Sequence, residues 1–113
     1  MVRLALLDTN FILTCMKQKI DFFEDLYLMG IEVLVPKNVI SELEKLKKTA
    51  ALRLLDKSVF KTISLPGKNV DNAIVEYARK NPGVIIGTLD RDMRNKIRNR
   101  KITIRNRKKL EII

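Results

Sequence analysis

Four short apolar runs, Val2–Leu7, Ile31–Val35, Val59–Leu65 and Val84–Thr88, recur along the chain with helix-patterned stretches between them. This alternation constrains the fold more than any other feature. The cores of the runs are continuous rather than alternating, the pattern of strands covered on both faces. Residues 11–29 are helical in two pieces, broken near Lys17–Ile20 and stopped by Gly30. A helix opened by Pro36 or Asn38 runs to about Lys48, with Val39, Ile40, Leu43 and Leu46 on one face, and a short one covers about Ala50–Asp56. Asn69–Lys80 is amphipathic and ends at Asn81-Pro82-Gly83; residues 90–98 read as helical. Ile102 and Ile104 mark a fifth strand, and Leu110–Ile113 pair as a sixth or extend it. Repeated βα units predict an α/β fold: a mostly parallel sheet with helices on both faces. With 113 residues, the expectation is one domain over 1–113 and no repeat architecture.

Charge is distributed unevenly. Residues 91–113 hold 10 basic and 2 acidic side chains, a net of +8, whereas residues 1–90 hold 13 and 11, a net of +2. A segment of that density attracts phosphate polyanions, so nucleic acid is the expected partner. Its candidate contacts are Arg91, Arg94, Lys96, Arg98, Arg100, Lys101, Arg105 and Arg107. The apolar runs are far shorter than the ~18 residues of a membrane span. Asp8 and Asn10 cut short the signal-like N-terminus, and Cys15 has no internal disulfide partner. The expectation is a cytoplasmic protein with no membrane association.

The acids fall into a pattern on this outline. Asp8 follows the first strand, Glu42 lies in the helix after the second, Asp71 in the first turn of the helix after the third, and Asp90 and Asp92 follow the fourth. In a parallel α/β sheet these positions share the carboxyl edge, where ligands bind. Singly, each acid has an ordinary role: a turn at Asp8, a helix cap at Asp71 or Asp90, a dipole contact at Asp92, an ion pair from Glu42 to Lys45 or Lys47. Together they describe a repelling cluster, by roughly 1–4 kcal/mol per pair at ~4 Å, that stays ionised only around a cation. An all-oxygen donor set suits Mg²⁺ or Mn²⁺, as one or two ions. With no histidine and one cysteine, a zinc centre and His-based acid–base catalysis are disfavoured, and no P-loop or Gly-x-Gly-x-x-Gly pattern is present. Metal-assisted phosphodiester hydrolysis is what remains.

Leu-Leu-Asp8-Thr9-Asn10, then Pro36 with Ser41-Glu42-Leu-Glu-Lys-Leu, then Val-Asp71-Asn-Ala-Ile-Val, then Thr88-Leu-Asp90-Arg-Asp92 resemble the PIN-domain nucleases in order and spacing, through nearly the whole chain. The resemblance implies a three-layer α/β/α sandwich with a five-stranded sheet of order 3-2-1-4-5. It implies Asp8, Glu42, Asp71 and Asp90 as catalytic, metal-binding acids, Asp92 as a candidate fifth ligand, and Thr9, Asn10 and Thr88 as groups that position water or phosphate. The Thr-Leu-Asp-Arg-Asp form followed by a basic helix is closer to the archaeal and eukaryotic PIN endonucleases of pre-ribosomal RNA processing. VapC-type toxins more often carry Asn at the fourth acid and an aromatic soon after, where this chain has Met93 and Arg94. The expected function is therefore a divalent-metal-dependent endoribonuclease of ribosomal RNA processing. The alternatives are a VapC-type toxin ribonuclease, with an antitoxin-like rather than a ribosome-assembly partner, and a non-catalytic RNA-binding PIN protein. Relatives that dimerise raise a homodimer through Phe22, Phe23, Leu26 and Tyr27, for which a core role is the stronger reading.

Overall fold

The first apolar run becomes a central strand because both of its faces find cover. In the computed structural model, which describes residues 3–113, β1 spans Arg3–Leu7, and its Ala5, Leu6 and Leu7 are fully buried. Val2, assigned to this strand from the sequence, lies outside the described residues. On one side β1 pairs in parallel with β2 (Ile31–Pro36), Ala5 opposite Val33, and β2 pairs in parallel with β3 (Lys61–Ile63). On the other side β1 pairs in parallel with β4 (Ile85–Gly87), Leu6 opposite Ile86. The order is β3-β2-β1-β4. The edge strand is shorter than the apolar run that encodes it, and Val59 is 94% exposed.

The expected fifth position is held differently. β5 (Ile102–Arg105) pairs antiparallel with β6 (Lys109–Ile112) in a terminal hairpin. A single parallel bridge, Ile86 with Lys101, joins this hairpin to β4. Lys101 also exchanges backbone hydrogen bonds with Ile113 at 3.1 and 2.9 Å. Beyond Gly87 the chain turns away at Thr88–Asp90, so β5 has no further partner on β4 and pairs with β6 instead.

Among the described residues, six helices connect the strands: α1 (Thr9–Lys17), α2 (Phe22–Leu28), α3 (Lys37–Lys45), α4 (Thr49–Asp56), α5 (Val70–Lys80) and α6 (Arg91–Asn95). Right-handed crossovers place α1–α4 on one face of the sheet and α5 and α6 on the other, completing the sandwich. The break between α1 and α2 is a left-handed turn at Lys19, φ 58°, and Gly30 at φ 74° ends α2. The first face buries Phe11 against Phe22 edge-to-face, with ring centroids 6.4 Å apart. Helix α3 stops before the expected Lys48 because Lys47 adopts φ 55°, which leaves Leu46 52% exposed rather than on the apolar face. Helix α6 is also shorter than the 90–98 expected; beyond it, Asn99 turns inward to the start of β4.

Of the residues considered for a dimer contact, Phe22 and Leu26 are fully buried and Phe23 is half-buried, whereas Tyr27 is 79% exposed. With Val59 and Phe60, Phe23 and Tyr27 line an apolar groove of about 420 Å³ beside β3. No helix among the described residues is long and apolar enough to cross a membrane.

Candidate active site

The order of the sheet reverses direction between β1 and β4, and the crevice at their carboxyl ends is where a doubly wound fold binds ligands. Asp8 leaves β1 there. Its backbone N–H donates to Gly87 O at 3.0 Å, locking the ends of the two strands together, and its carboxylate caps α1 by accepting from Phe11 N at 2.7 Å. The side chain is almost wholly buried. Desolvation by burial raises its pKa to about 6, with smaller increases from the charges of Asp71 and Asp90; the Thr88 hydroxyl and the Phe11 N–H act in the opposite direction.

Asp90 arrives from β4 as the cap of α6, its Oδ1 accepting from Asp92 N at 2.8 Å and Met93 N at 3.3 Å. Asp71 stands in the first turn of α5, whose cap is Asn69. Partial desolvation, then the charges of Asp90 and Glu42, hold its carboxyl above the ordinary value. Glu42 is half-buried on α3. Repulsion thus links Glu42 to Asp71, Asp71 to Asp90, and both aspartates to Asp8: four acids from four connections share one field. Asp92 joins through its backbone N–H, with its side chain exposed.

Among the described residues, the salt bridges are Lys61–Glu32 and Arg105–Glu111, so no lysine or arginine neutralises the cluster. The ion pair considered for Glu42 does not form. Thr9 is buried directly beside Asp8, and its Oγ1 has no hydrogen-bond partner among the described residues. Uncompensated carboxylates, oxygen-only donors and an orphaned hydroxyl together fit a hard divalent cation. No three His, Cys, Asp or Glu side chains among the described residues form a ready-made ligand cage. Thr88 is fully buried and accepts from Asp90 N at 3.2 Å, whereas Asn10 is exposed in the first turn of α1. Away from the site, burial and then Asp25 push the Cys15 thiol up to about 12, so it remains protonated and inert.

Three positioning features escaped the sequence reading. Asn38 forms no cap for α3. Its amide pairs with the backbone of Leu65, donating to the carbonyl at 3.0 Å and accepting from the N–H at 2.9 Å. This ties the helix bearing Glu42 to the segment leading to Asp71. Gly87 has no room for a side chain: a Cβ there would meet Leu7 Cδ2 at 2.6 Å. A glycine inside an apolar strand run was the available signal. Asn99, buried, donates to Asn81 O at 3.0 Å and Val84 O at 2.9 Å, fixing the chain between α6 and β5.

The basic segment is split by the fold. Arg91 and Arg94 lie on α6 just past Asp90. β5 runs parallel to β4 from the Ile86 level, so its end and the turn carrying Arg105 and Arg107 project toward the acid edge. There Arg105 pairs with Glu111 at 3.0 Å. Lys101 Nζ donates to the carbonyls of Asn99 and Ile97, at 2.8 and 3.3 Å, and serves the local backbone. Lys96 and Arg98 lie toward the opposite edge, where Lys96 O accepts from Arg79 Nε at the end of α5; Arg100 follows beside the middle of β4, its O accepting from Ile86 N.

Known proteins resemble this chain in sequence and in fold. A family model described as a PIN like domain matches residues 5–109. Ribonuclease VapC4 of Methanocaldococcus jannaschii is 28% identical over 121 aligned positions, covering 93% of this chain and 92% of the relative. The rRNA-processing protein fcf1 of Schizosaccharomyces pombe is 32% identical over 101 positions, 83% of this chain; the chain spans about half of that protein, 53%. A solved structure of the PIN domain endonuclease Utp24 superposes with a TM-score of 0.84 at 28% identity, over 96% of this chain and 90% of that one.

Proposed function

The chain belongs to the PIN-like domain family, and from that premise we propose that residues 1–113 act as one metal-dependent endoribonuclease domain. The observation that carries the reading is the set of Asp8, Glu42, Asp71 and Asp90, brought from four connections to one edge and left without a cation of the protein's own. Those four are the proposed catalytic and metal-binding acids, for one or two Mg²⁺ or Mn²⁺ ions, with Asp92 as a further ligand. A divalent ion held there supplies Lewis-acid activation of the attacking water and neutralises charge on the scissile phosphate.

The chain's own groups do the rest. Asp8 is fixed by its helix cap and by its backbone bond to Gly87 at the end of the two central strands. Thr9 Oγ1 and the Thr88 hydroxyl orient water or a phosphate oxygen, with Asn10 at the rim. Arg91, Arg94 and the hairpin turn with Arg107 hold the RNA backbone across the acid edge, offsetting repulsion between phosphate and the cluster.

The relative named for rRNA processing and the Thr88–Asp92 motif favour precursor ribosomal RNA as substrate, with ribosome-assembly proteins as partners. A VapC-type toxin role, restrained by an antitoxin-like partner, is favoured by the match to VapC4 over nearly its whole length. The groove at Phe23, Tyr27, Val59 and Phe60 is the proposed surface of a homodimer. The proposed setting is the cytoplasm, in keeping with a free, buried Cys15.

A circular RNA carrying a precursor ribosomal sequence tests the activity, because only an internal cut opens a circle. Linearisation with Mn²⁺ or Mg²⁺ that stops on EDTA addition is expected. An intact circle under all metal conditions would exclude the reading.

A further inference from the structure

The split of the basic segment leaves a group of cations that the cleft does not use. Helix α5 starts at the acid edge with Asp71 and runs to the other edge, where it ends in Arg79 and Lys80. Eight residues at about 1.5 Å each put Arg79 roughly 12 Å from Asp71 along the helix axis. There Arg79 Nε grips Lys96 O at 3.0 Å, and the chain continues through Arg98 and Arg100 to the Ile86 level. Burial alternates along this stretch: Ile97 and Asn99 face inward, while Lys96, Arg98 and Arg100 are exposed.

The stretch has no regular secondary structure, yet it is tightly held. Asn99 anchors it to the carbonyls of Asn81 and Val84, Lys101 Nζ bridges its own Ile97 and Asn99 carbonyls, and the Ile86–Arg100 backbone bond closes it onto the sheet. Among the described residues, Arg79, Lys80, Lys96, Arg98 and Arg100 form no ion pair, and Glu76, one turn back on α5, stays beyond ion-pair distance. Five cations displayed on a pre-ordered backbone without carboxylate partners form a polyanion site, and the backbone has little ordering entropy left to lose on binding.

We propose that Arg79, Lys80, Lys96, Arg98 and Arg100 form a second RNA site that runs from the edge of the sheet opposite the acids up the outer flank of β4, and that it grips the phosphates of a helical segment flanking the cut. The assignment to duplex backbone rather than single strand follows from the lack of a stacking platform. Tyr77, the aromatic residue on α5, is half-buried, and the others lie on α1, α2 and the approach to β3. Single-strand binders stack bases on exposed aromatics, whereas duplex RNA is held by shape and phosphate contacts. The proposal rests on RNA being the substrate, and it predicts that the enzyme favours cut sites beside a stem over the same sequence in a short free strand.

The test uses the whole chain in EDTA, so that binding is read without cleavage. Two RNAs are compared: a tetranucleotide that fills only the acid edge, and a stem-loop of about twenty base pairs. At roughly 3 Å per pair the stem exceeds the 30 Å extent of the domain. The variant is Lys96→Gln, Arg98→Gln, Arg100→Gln. Its control is Lys17→Gln, Lys45→Gln, Lys57→Gln, which removes the same charge from the α1–α4 face. Loss of three phosphate contacts should reduce the log–log salt slope for the stem-loop by about 2 to 3 and weaken binding at least tenfold, with the tetranucleotide unaffected. With metal present, KM for the stem-loop should rise while kcat holds.

An unchanged slope and affinity for the stem-loop would overturn the proposal and leave the patch to an acidic protein partner. Equal loss in variant and control, or for both RNAs, would overturn it too, by reducing the effect to net charge. If the wild type binds as expected but never cuts the circle, the nuclease reading fails and this site stands.

Discussion

Replacing Asp8 by Asn separates the electrostatic requirement of the site from its folding role. Asn keeps an oxygen to accept from Phe11 N, so the cap on α1 survives, while the buried charge is removed. The Asp8 carboxyl titrates at about 6 in the folded chain against 3.8 for the free group. At 1.36 kcal/mol per unit, that difference corresponds to about 3 kcal/mol. The sign follows from which chain holds the proton. Below about pH 4 the carboxyl is protonated in both folded and unfolded chains and the penalty is absent. Between about pH 4 and 6 the unfolded chain ionises first, so native stability falls as pH rises; above about pH 6 the full penalty applies.

In EDTA, Asp8→Asn should therefore be more stable than wild type by up to about 3 kcal/mol at pH 8. That corresponds to a melting rise on the order of 10 °C for a domain of this size. The gain should vanish near pH 4. Urea or thermal unfolding of both proteins across pH 4–8 measures it. A mutant no more stable than wild type at pH 8, or a gain independent of pH, would refute the claim that Asp8 is a desolvated, repelled carboxylate.

Millimolar Mn²⁺ or Mg²⁺ should raise the melting temperature of the wild type, because a cation relieves the repulsion among the acids. An ion at 100 times its Kd adds about 2.7 kcal/mol, and the gain should be much smaller in Asp8→Asn; identical melts with EDTA and metal would count against a metal site. Asn38→Ala strips both partners from the Leu65 backbone and should cost about 1–3 kcal/mol. It should also weaken metal affinity, since α3 and the approach to Asp71 come apart, and calorimetric titration with Mn²⁺ reads that. Gly87→Ala pushes a methyl into Leu7 beneath Asp8 and should cost about 1–3 kcal/mol by overpacking; unchanged stability in chemical denaturation would show that Leu7 yields freely.

The parts of this protein legible in its sequence are those encoded by local period and chain order. β1, β2 and β4 are apolar runs bounded by turn chemistry, and Asp8, Glu42, Asp71 and Asp90 each lie on a connection that leaves the carboxyl end of a strand. What stayed hidden depends on pairs distant in the chain. Asn38 reads as a helix opener because its partner, Leu65, is 27 residues away. The basic segment reads as a single patch, since nothing local reveals that Asn99 reaches back to Val84 and carries its neighbours to the far edge. Arg105 and Lys101 count as free cations in a charge tally, but Glu111 and two carbonyls engage them in the fold. The fifth strand was placed correctly at Ile102 and Ile104, yet its partner depended on how far β4 continues past Ile86.

Single-turnover cleavage of the circular precursor RNA by wild type and Asp8→Asn, purified identically and saturated with Mn²⁺, shows whether the acid cluster carries out the reaction. The cluster account predicts a loss of at least about a hundredfold in the mutant, since each factor of ten in rate reflects only about 1.4 kcal/mol of barrier and metal activation supplies several. RNA affinity measured in EDTA should hold or rise. Cleavage by the mutant at the wild-type rate would contradict the assignment of Asp8, and with it the acid cluster, as the seat of the reaction.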